Sequence, residues 1–194
     1  DYPGECAGLV LPYADWSGAT IGTVPIGRGI AVTPLQMVSA YAAIGNGGVM
    51  PLPHVVERIG GKKVKAERGR RVVSQGTANR MMGMFRNVVV EGTGGEAAIP
   101  GYTVAGKTGT AQKAENGRYV KKYVASFVGL VPAKSPRLAI LVMVDEPRGN
   151  IYGGVVAAPA FRDIARFDLQ YLEVPPDAPE TKTSLTAAAG PSNQ

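Results

Sequence analysis

The stretch GYTVAGKTGTAQK, Gly101 to Lys113, sets a lysine among hydroxyls and glycines. Its opening residues, Gly101 to Thr108, fit G-x-x-x-x-G-K-[ST], the pattern of the loop that cradles nucleotide phosphates. Such a loop needs a strand before its first glycine and a helix beginning at its Lys-Thr. Here Pro100 precedes Gly101, after the soft stretch GGEAAI. The residues between the glycines, Tyr102 to Ala105, are strand formers, and Gly109 follows Thr108 with no helical period after it. The motif therefore lies on a strand, and nucleotide hydrolysis is set aside.

On a strand, Lys107-Thr108-Gly109 resembles the third active-site motif of penicillin-binding proteins and serine β-lactamases. The resemblance gives each residue a task. Lys107 would supply a fixed positive charge to an anionic substrate and to a proton-transfer network. Thr108 and Thr110 would offer hydroxyls to a carboxylate. Gly109 would let an acyl group lie against the strand. The Thr110 N–H would donate to a developing oxyanion, worth roughly 3–4 kcal/mol per donor in acyl transfer. On this basis Lys107 and Thr110 are the candidate catalytic residues, with Thr108 and Gly109 as substrate-binding ones.

These residues need a scaffold. Thr33-Pro34-Leu35-Gln36 opens a helix with a capping box and a proline in its first turn, and Gly45, Asn46 and Gly47 close it. Leu35, Val38, Tyr41 and Ala42 fall on one face. A second helix is predicted over Gln75–Val90, where Ala78, Met81, Met82, Phe85, Val88 and Val89 keep helical spacing. From Tyr102 the period becomes two. Three strands are expected, over Tyr102–Gln112, Tyr119–Val131 and Leu138–Asp145, joined by short turns that favour an antiparallel meander. LAILVMV is apolar throughout, so the third strand is expected to be covered on both faces. A last helix is read over Val155–Leu172, with Phe161, Ile164, Ala165, Leu169 and Leu172 inward. From Pro175 the chain is polar and Pro-rich, and residues 175–194 read as a disordered tail after a unit spanning 1–174.

Composition narrows the function classes. The chain has 194 residues, 45% hydrophobic and 19% charged, with a net charge of +6. The basic run GGKKVKAERGRR, Gly60 to Arg71, has no interleaved aromatic residue, so a solvated hairpin or loop is favoured over nucleic-acid binding. Cys6 is the only cysteine and His54 the only histidine, which suits neither a disulfide framework nor a metal site. No cofactor or metal is expected. No apolar run of about eighteen residues is present. The opening DYPGECAGLVLP reads like the inside of a larger protein.

The surroundings sharpen the resemblance. IPGYTVAGKTGTAQK is similar to the version of the motif in class B penicillin-binding proteins, the monofunctional D,D-transpeptidases. IGRGIAVTPLQMVSAYAAIGNGGVM (from Ile26), YVASFVGLVPA (from Tyr123) and VMVDEPRGNIYGGVVAAPAF (from Val142) resemble further segments of that family, and YVASFVG is more like its division or sporulation members. The likeness runs from about residue 8 to 174. It implies an α+β, three-layer fold, an antiparallel sheet flanked by helices, of which this chain holds an incomplete part. The family sheet has five strands; the three predicted here would be its second half. Tyr152 falls where the family often places an aromatic wall of the substrate pocket; an exposed loop tyrosine is the other reading.

The resemblance also implies peptidoglycan stem peptides as substrate, β-lactam antibiotics as ligands, and a polytopic membrane glycosyltransferase and other cell-division proteins as partners. Location on the outer face of the cytoplasmic membrane is implied as well. One departure stands out. The family acylates the serine of a Ser-x-x-Lys motif and uses a Ser-x-Asn. None of Ser17, Ser39, Ser74, Ser126, Ser135, Ser184 and Ser192 has Lys three residues on or Asn two residues on. Thr110-Ala-Gln-Lys113 has the first spacing, but it overlaps the third motif and cannot also face it. The chain thus carries no nucleophile of this kind. It is expected to be the C-terminal half of a transpeptidase domain, or else a non-catalytic module of the same fold that binds cell-wall peptide or division partners.

Overall fold

The computed structural model describes residues 4–27, 29–65, 67 and 69–178. Short elements come first. β1 (Leu9–Val10) pairs with β2 (Ile30–Ala31), and α1 (Thr20–Thr23) lies between them. α2 (Pro34–Gly45) begins at the expected capping box. The Thr33 hydroxyl accepts from the Gln36 N–H at 3.2 Å, and Gln36 Oε1 accepts from the Thr33 N–H at 2.9 Å. β3 (Val49–Met50) pairs with β6 (Arg70–Arg71). Between them β4 (Arg58–Ile59) and β5 (Lys62–Lys63) form an exposed hairpin, so this part of the basic run is solvated. α3 (Gln75–Val90) starts at Ser74, whose side chain accepts from the Thr77 N–H.

β7 (Ala105–Glu115), β8 (Arg118–Val131) and β9 (Leu138–Asp145) form one antiparallel sheet in that order. The first hairpin turns on Asn116 and Gly117, both at positive φ, the geometry that matches the twist of paired strands. A register irregularity between Gln112 and Ala114 separates this tip from the rest of β7. β7 starts at Ala105 rather than Tyr102, because Tyr102 bridges back to Ile99 and Thr103 is drawn to Asp177.

Layers form on both faces. Phe127, Val131, Ile140, Val142 and Val144 pack with Phe161, Ala165 and Leu169 of α5 (Ala158–Tyr171). Phe127 and Phe161 meet at 4.9 Å, and Gly129 makes room, since a Cβ there would lie 2.4 Å from the Phe161 ring. On the other face Ala105 packs with Phe85, Met81 and Met82 of α3 and with Tyr41 and Ile44 of α2. Tyr41 stacks on Phe85 at 5.0 Å. The α+β three-layer arrangement is present, with three strands in the main sheet among the described residues.

Several expectations are corrected. The last helix is two: α4 (Gly153–Val156) and α5, with Ala157 at the break and Pro159 in the first turn of α5. Ile164 (45% exposed) and Leu172 (49%) face outward; the inward stripe is Ala158, Phe161, Ala165 and Leu169. On α2 the buried residues are Ser39 and Ala43, while Leu35 is exposed. β9 is not covered on both faces: none of its residues is fully buried, and Met143 is 51% exposed. Helix α5 covers one face, but among the described residues the far face is covered only in part, and no strand pairs with the outer edge of β9.

The chain does not loosen at Pro175. Asp177 accepts through Oδ1 from the Thr103 N–H at 2.6 Å and through Oδ2 from the Thr103 hydroxyl. The Asp177 and Ala178 N–H groups donate to the Gly101 carbonyl. The remainder of the expected tail, 179–194, lies outside the described residues.

Candidate active-site strand

The pleat of β7 divides the motif between two faces. Thr108 pairs with Phe127 and Thr110 with Ala125, so both threonines share the α4/α5 face. Lys107 and Gly109, paired with Val128 and Ser126, lie on the face of Ala105, toward α2 and α3. Those helices cover the Ala105 end and leave Lys107 exposed.

The Lys107 side chain bends across the strand. Its Nζ donates to the Thr108 carbonyl at 2.9 Å and to Thr108 Oγ1 at 3.5 Å. Thr108 Oγ1 is also 2.7 Å from Thr93 Oγ1, in the loop between α3 and β7. Thr110 Oγ1 accepts from the Gly153 N–H at 3.3 Å. Tyr152 is therefore one residue from a contact with the motif. It caps the N-terminus of α4, is 62% exposed, and its N–H donates to Asn150 Oδ1 at 2.9 Å. The structure thus gathers Lys107, Thr108, Gly109 and Thr110 on one strand and brings the Tyr152 loop against it.

Four residues at this site were not legible as such in the sequence. A Cβ on Gly153 would lie 2.1 Å from the Ser126 carbonyl oxygen and 2.4 Å from that of Gly109. A Cβ on Gly154 would lie 2.1 Å from the Thr93 carbonyl oxygen. These glycines let α4 settle on the sheet and the Thr93 loop together. Ser126 Oγ sits under Gly109, where a Cβ would come within 2.4 Å of it. Thr93 is the fourth. The only signal was the paired glycines at 94–95 and 153–154, which mark close approach of backbone.

The arrangement offers one cation and two buttressed hydroxyls along a strand that has a partner on one side only among the described residues. That is a fit for an anionic, extended ligand. A cavity of about 780 Å³ lies elsewhere, between the start of α2 and Met50–His54, and holds none of the motif residues. No helix among the described residues is long and apolar enough to cross a membrane.

A family model described as penicillin binding protein transpeptidase domain matches residues 1–166. The chain belongs to this family. It is 38% identical over 185 residues to stage V sporulation protein D of Bacillus subtilis (strain 168), covering 91% of this chain and 29% of that protein. It is 39% identical over 191 residues to the probable peptidoglycan D,D-transpeptidase PenA of Neisseria gonorrhoeae, covering 97% of this chain and 31% of the relative. Among solved structures, penicillin binding protein 3 of Mycobacterium tuberculosis complexed with ampicillin superposes with a TM-score of 0.81 at 39% identity, over 93% of this chain and 43% of that one. The penicillin-binding transpeptidase fold expected from the sequence is therefore the fold of this chain, and the chain is part of such a domain. It spans less than a third of the length of both curated relatives.

Proposed function

We propose that this chain is the Lys-Thr-Gly-bearing part of a peptidoglycan D,D-transpeptidase that works on the outer face of the cytoplasmic membrane. The serine of the reaction belongs to a Ser-x-x-Lys segment outside this chain. Its Oγ attacks the carbonyl carbon of the penultimate D-Ala of a stem peptide. The bond to the terminal D-Ala breaks, and that residue leaves as a free amino acid. An amine of a neighbouring strand then takes the acyl group, forms the cross-link and frees the serine. A β-lactam acylates the same serine by ring opening and stays attached.

In this reading Lys107 holds the substrate carboxylate electrostatically and connects to the proton network. The hydroxyls of Thr108 and Thr110 hydrogen-bond that carboxylate. The Thr110 N–H donates to the oxyanion. Gly109, with no side chain, lets the acyl group lie against the strand, and Tyr152 walls the pocket. A polytopic membrane glycosyltransferase and division proteins are the proposed partners. The observation that carries the reading is the likeness to PenA over nearly the whole chain, with Lys107 to Thr110 on a strand that, among the described residues, is at an edge of the sheet.

The test is labelling with a fluorescent penicillin. The polypeptide that joins this chain to its Ser-x-x-Lys segment is expected to label, and this chain alone is not. A full-length parent that takes no label, yet lets this chain retain muropeptide, would instead favour a non-catalytic binding module.

A further inference from the structure

We infer that Thr93, in the loop between α3 and β7, is a positioning residue that sets carboxylate selectivity by fixing the direction of the Thr108 hydroxyl. The inference rests on the transpeptidase reading above and adds to it a residue outside the Lys-Thr-Gly motif.

A threonine hydroxyl has two acceptor positions and one proton. Thr108 Oγ1 receives Lys107 Nζ at 3.5 Å, and the ammonium can only donate. Thr93 Oγ1 stands 2.7 Å away. When Thr93 donates, both acceptor positions of Thr108 are filled, and its proton is the one part left for a ligand. That ligand must be an acceptor, and a carboxylate accepts most strongly. The opposite order would point the Thr108 proton at Thr93 and present only lone pairs to an anion. Lys107 donates to Thr108 in either order, so it is the substrate carboxylate, an acceptor, that selects the first.

Thr93 is built into position. Its carbonyl oxygen lies where a Cβ on Gly154 would intrude to 2.1 Å, and the same missing Cβ would touch Thr108 Cγ2 at 3.3 Å. On its other side, the Gly94 N–H donates to the Val88 carbonyl at 2.9 Å, and Gly94 packs against the Phe127 ring. The loop is thus held by α4, the end of α3 and the sheet at once. Thr93 nonetheless remains an exposed residue, beside Thr108 at the edge of β7.

The test compares a penicillin bearing its free carboxylate with the methyl ester of the same compound. Acylation rate constants are measured on the full-length transpeptidase that contains this chain, for wild type, Thr93→Val and Thr93→Ser. Thr93→Val is expected to slow the acid roughly three- to tenfold, the range of one hydrogen bond, and to leave the ester unchanged. Thr93→Ser restores the acid rate. Thr93→Ala gives the same comparison if valine prevents folding. Equal losses on acid and ester, or no loss on either, overturn the inference. A wild type that neither compound acylates overturns the transpeptidase reading itself, a separate outcome from unequal or equal losses in the variants.

Discussion

Asp177 grips Thr103 from 74 residues further along the chain, accepting from its N–H at 2.6 Å and from its hydroxyl. The same Thr103 hydroxyl accepts from the Ala133 N–H at 3.0 Å, and Lys134 Nζ donates to the Asp177 carbonyl at 2.5 Å. Three segments distant in sequence therefore meet just ahead of β7, four residues before Lys107.

Replacing Asp177 by Ala leaves the half-buried Thr103 donors without a partner. The expected cost is about 1–3 kcal/mol, seen as a lower denaturant midpoint. Asp177→Asn keeps one acceptor and should lose less. Equal stability of all three proteins would show that this clasp does not hold in solution.

Gly153→Ala places a methyl carbon against two backbone carbonyls, those of Ser126 and Gly109. Neither can step aside as a side chain would. About 1–3 kcal/mol of destabilisation is expected from overpacking, with slower penicillin acylation of the full-length protein. Gly109→Ala meets only the Ser126 hydroxyl, which can rotate. Its cost should be smaller, and Ser126→Ala should relieve it. A double-mutant cycle reads that coupling directly.

Ion pairs tie the outer ends of the three strands. Lys113 reaches Asp145 at 2.6 Å and Glu146 at 2.9 Å, and Lys122 reaches Glu115 at 2.9 Å. The hydrogen bond from Lys113 holds the Glu146 carboxyl below its usual range. The hydrogen bond to Asp145, then that to Glu146, raises Lys113, and Glu115 raises Lys122. The Glu146 contribution is present above the unfolded carboxyl pKa and is lost as pH falls through the lower folded value. The lysine contributions are present below their unfolded pKa and are lost as pH rises through the higher folded values. Melting temperature should therefore gain from this cluster across neutral pH and lose that gain below about pH 4 and above about pH 10.5. Lys113→Met should remove the Lys113 share and most of the Glu146 share, and leave that of the Lys122–Glu115 pair. Salt near 1 M should shrink it, because the groups are exposed.

The outer edge of β9 has no strand beside it among the described residues, and LAILVMV carries neither charge nor proline. Expressed alone, this chain is expected to aggregate through that edge. Met143→Lys adds a charge at an exposed position and should raise the soluble fraction in a sedimentation assay. An unchanged fraction would point to another surface.

How much of this was readable beforehand differs by element. The capping box at Thr33 and the α3 stripe were legible because local chemistry specifies them. β7 and β8 were legible through their period of two, and β9 as a short apolar run bounded by a turn. The limits of β7 were not, because Thr103 is claimed by Asp177, which only tertiary contact can bring there. The break at Ala157 was hidden by a run of small residues that suits either one helix or two. Ile164 and Leu172 looked inward because hydrophobicity does not reveal which positions lack a neighbour. At the site, the Lys107-Thr108-Gly109-Thr110 spacing was visible, but Thr93 was not: its place depends on a missing Cβ at Gly154, 61 residues further along the chain.

The register irregularity between Gln112 and Ala114 gives the β7–β8 hairpin an unequal tolerance for length change. One residue inserted before Lys107 would exchange the faces of the cation and the threonine hydroxyls. Residues inserted at Asn116–Gly117 would meet a tip already uncoupled from the motif. That turn is therefore the place to graft an epitope or a fluorophore, reporting on the strand while leaving its alternation untouched.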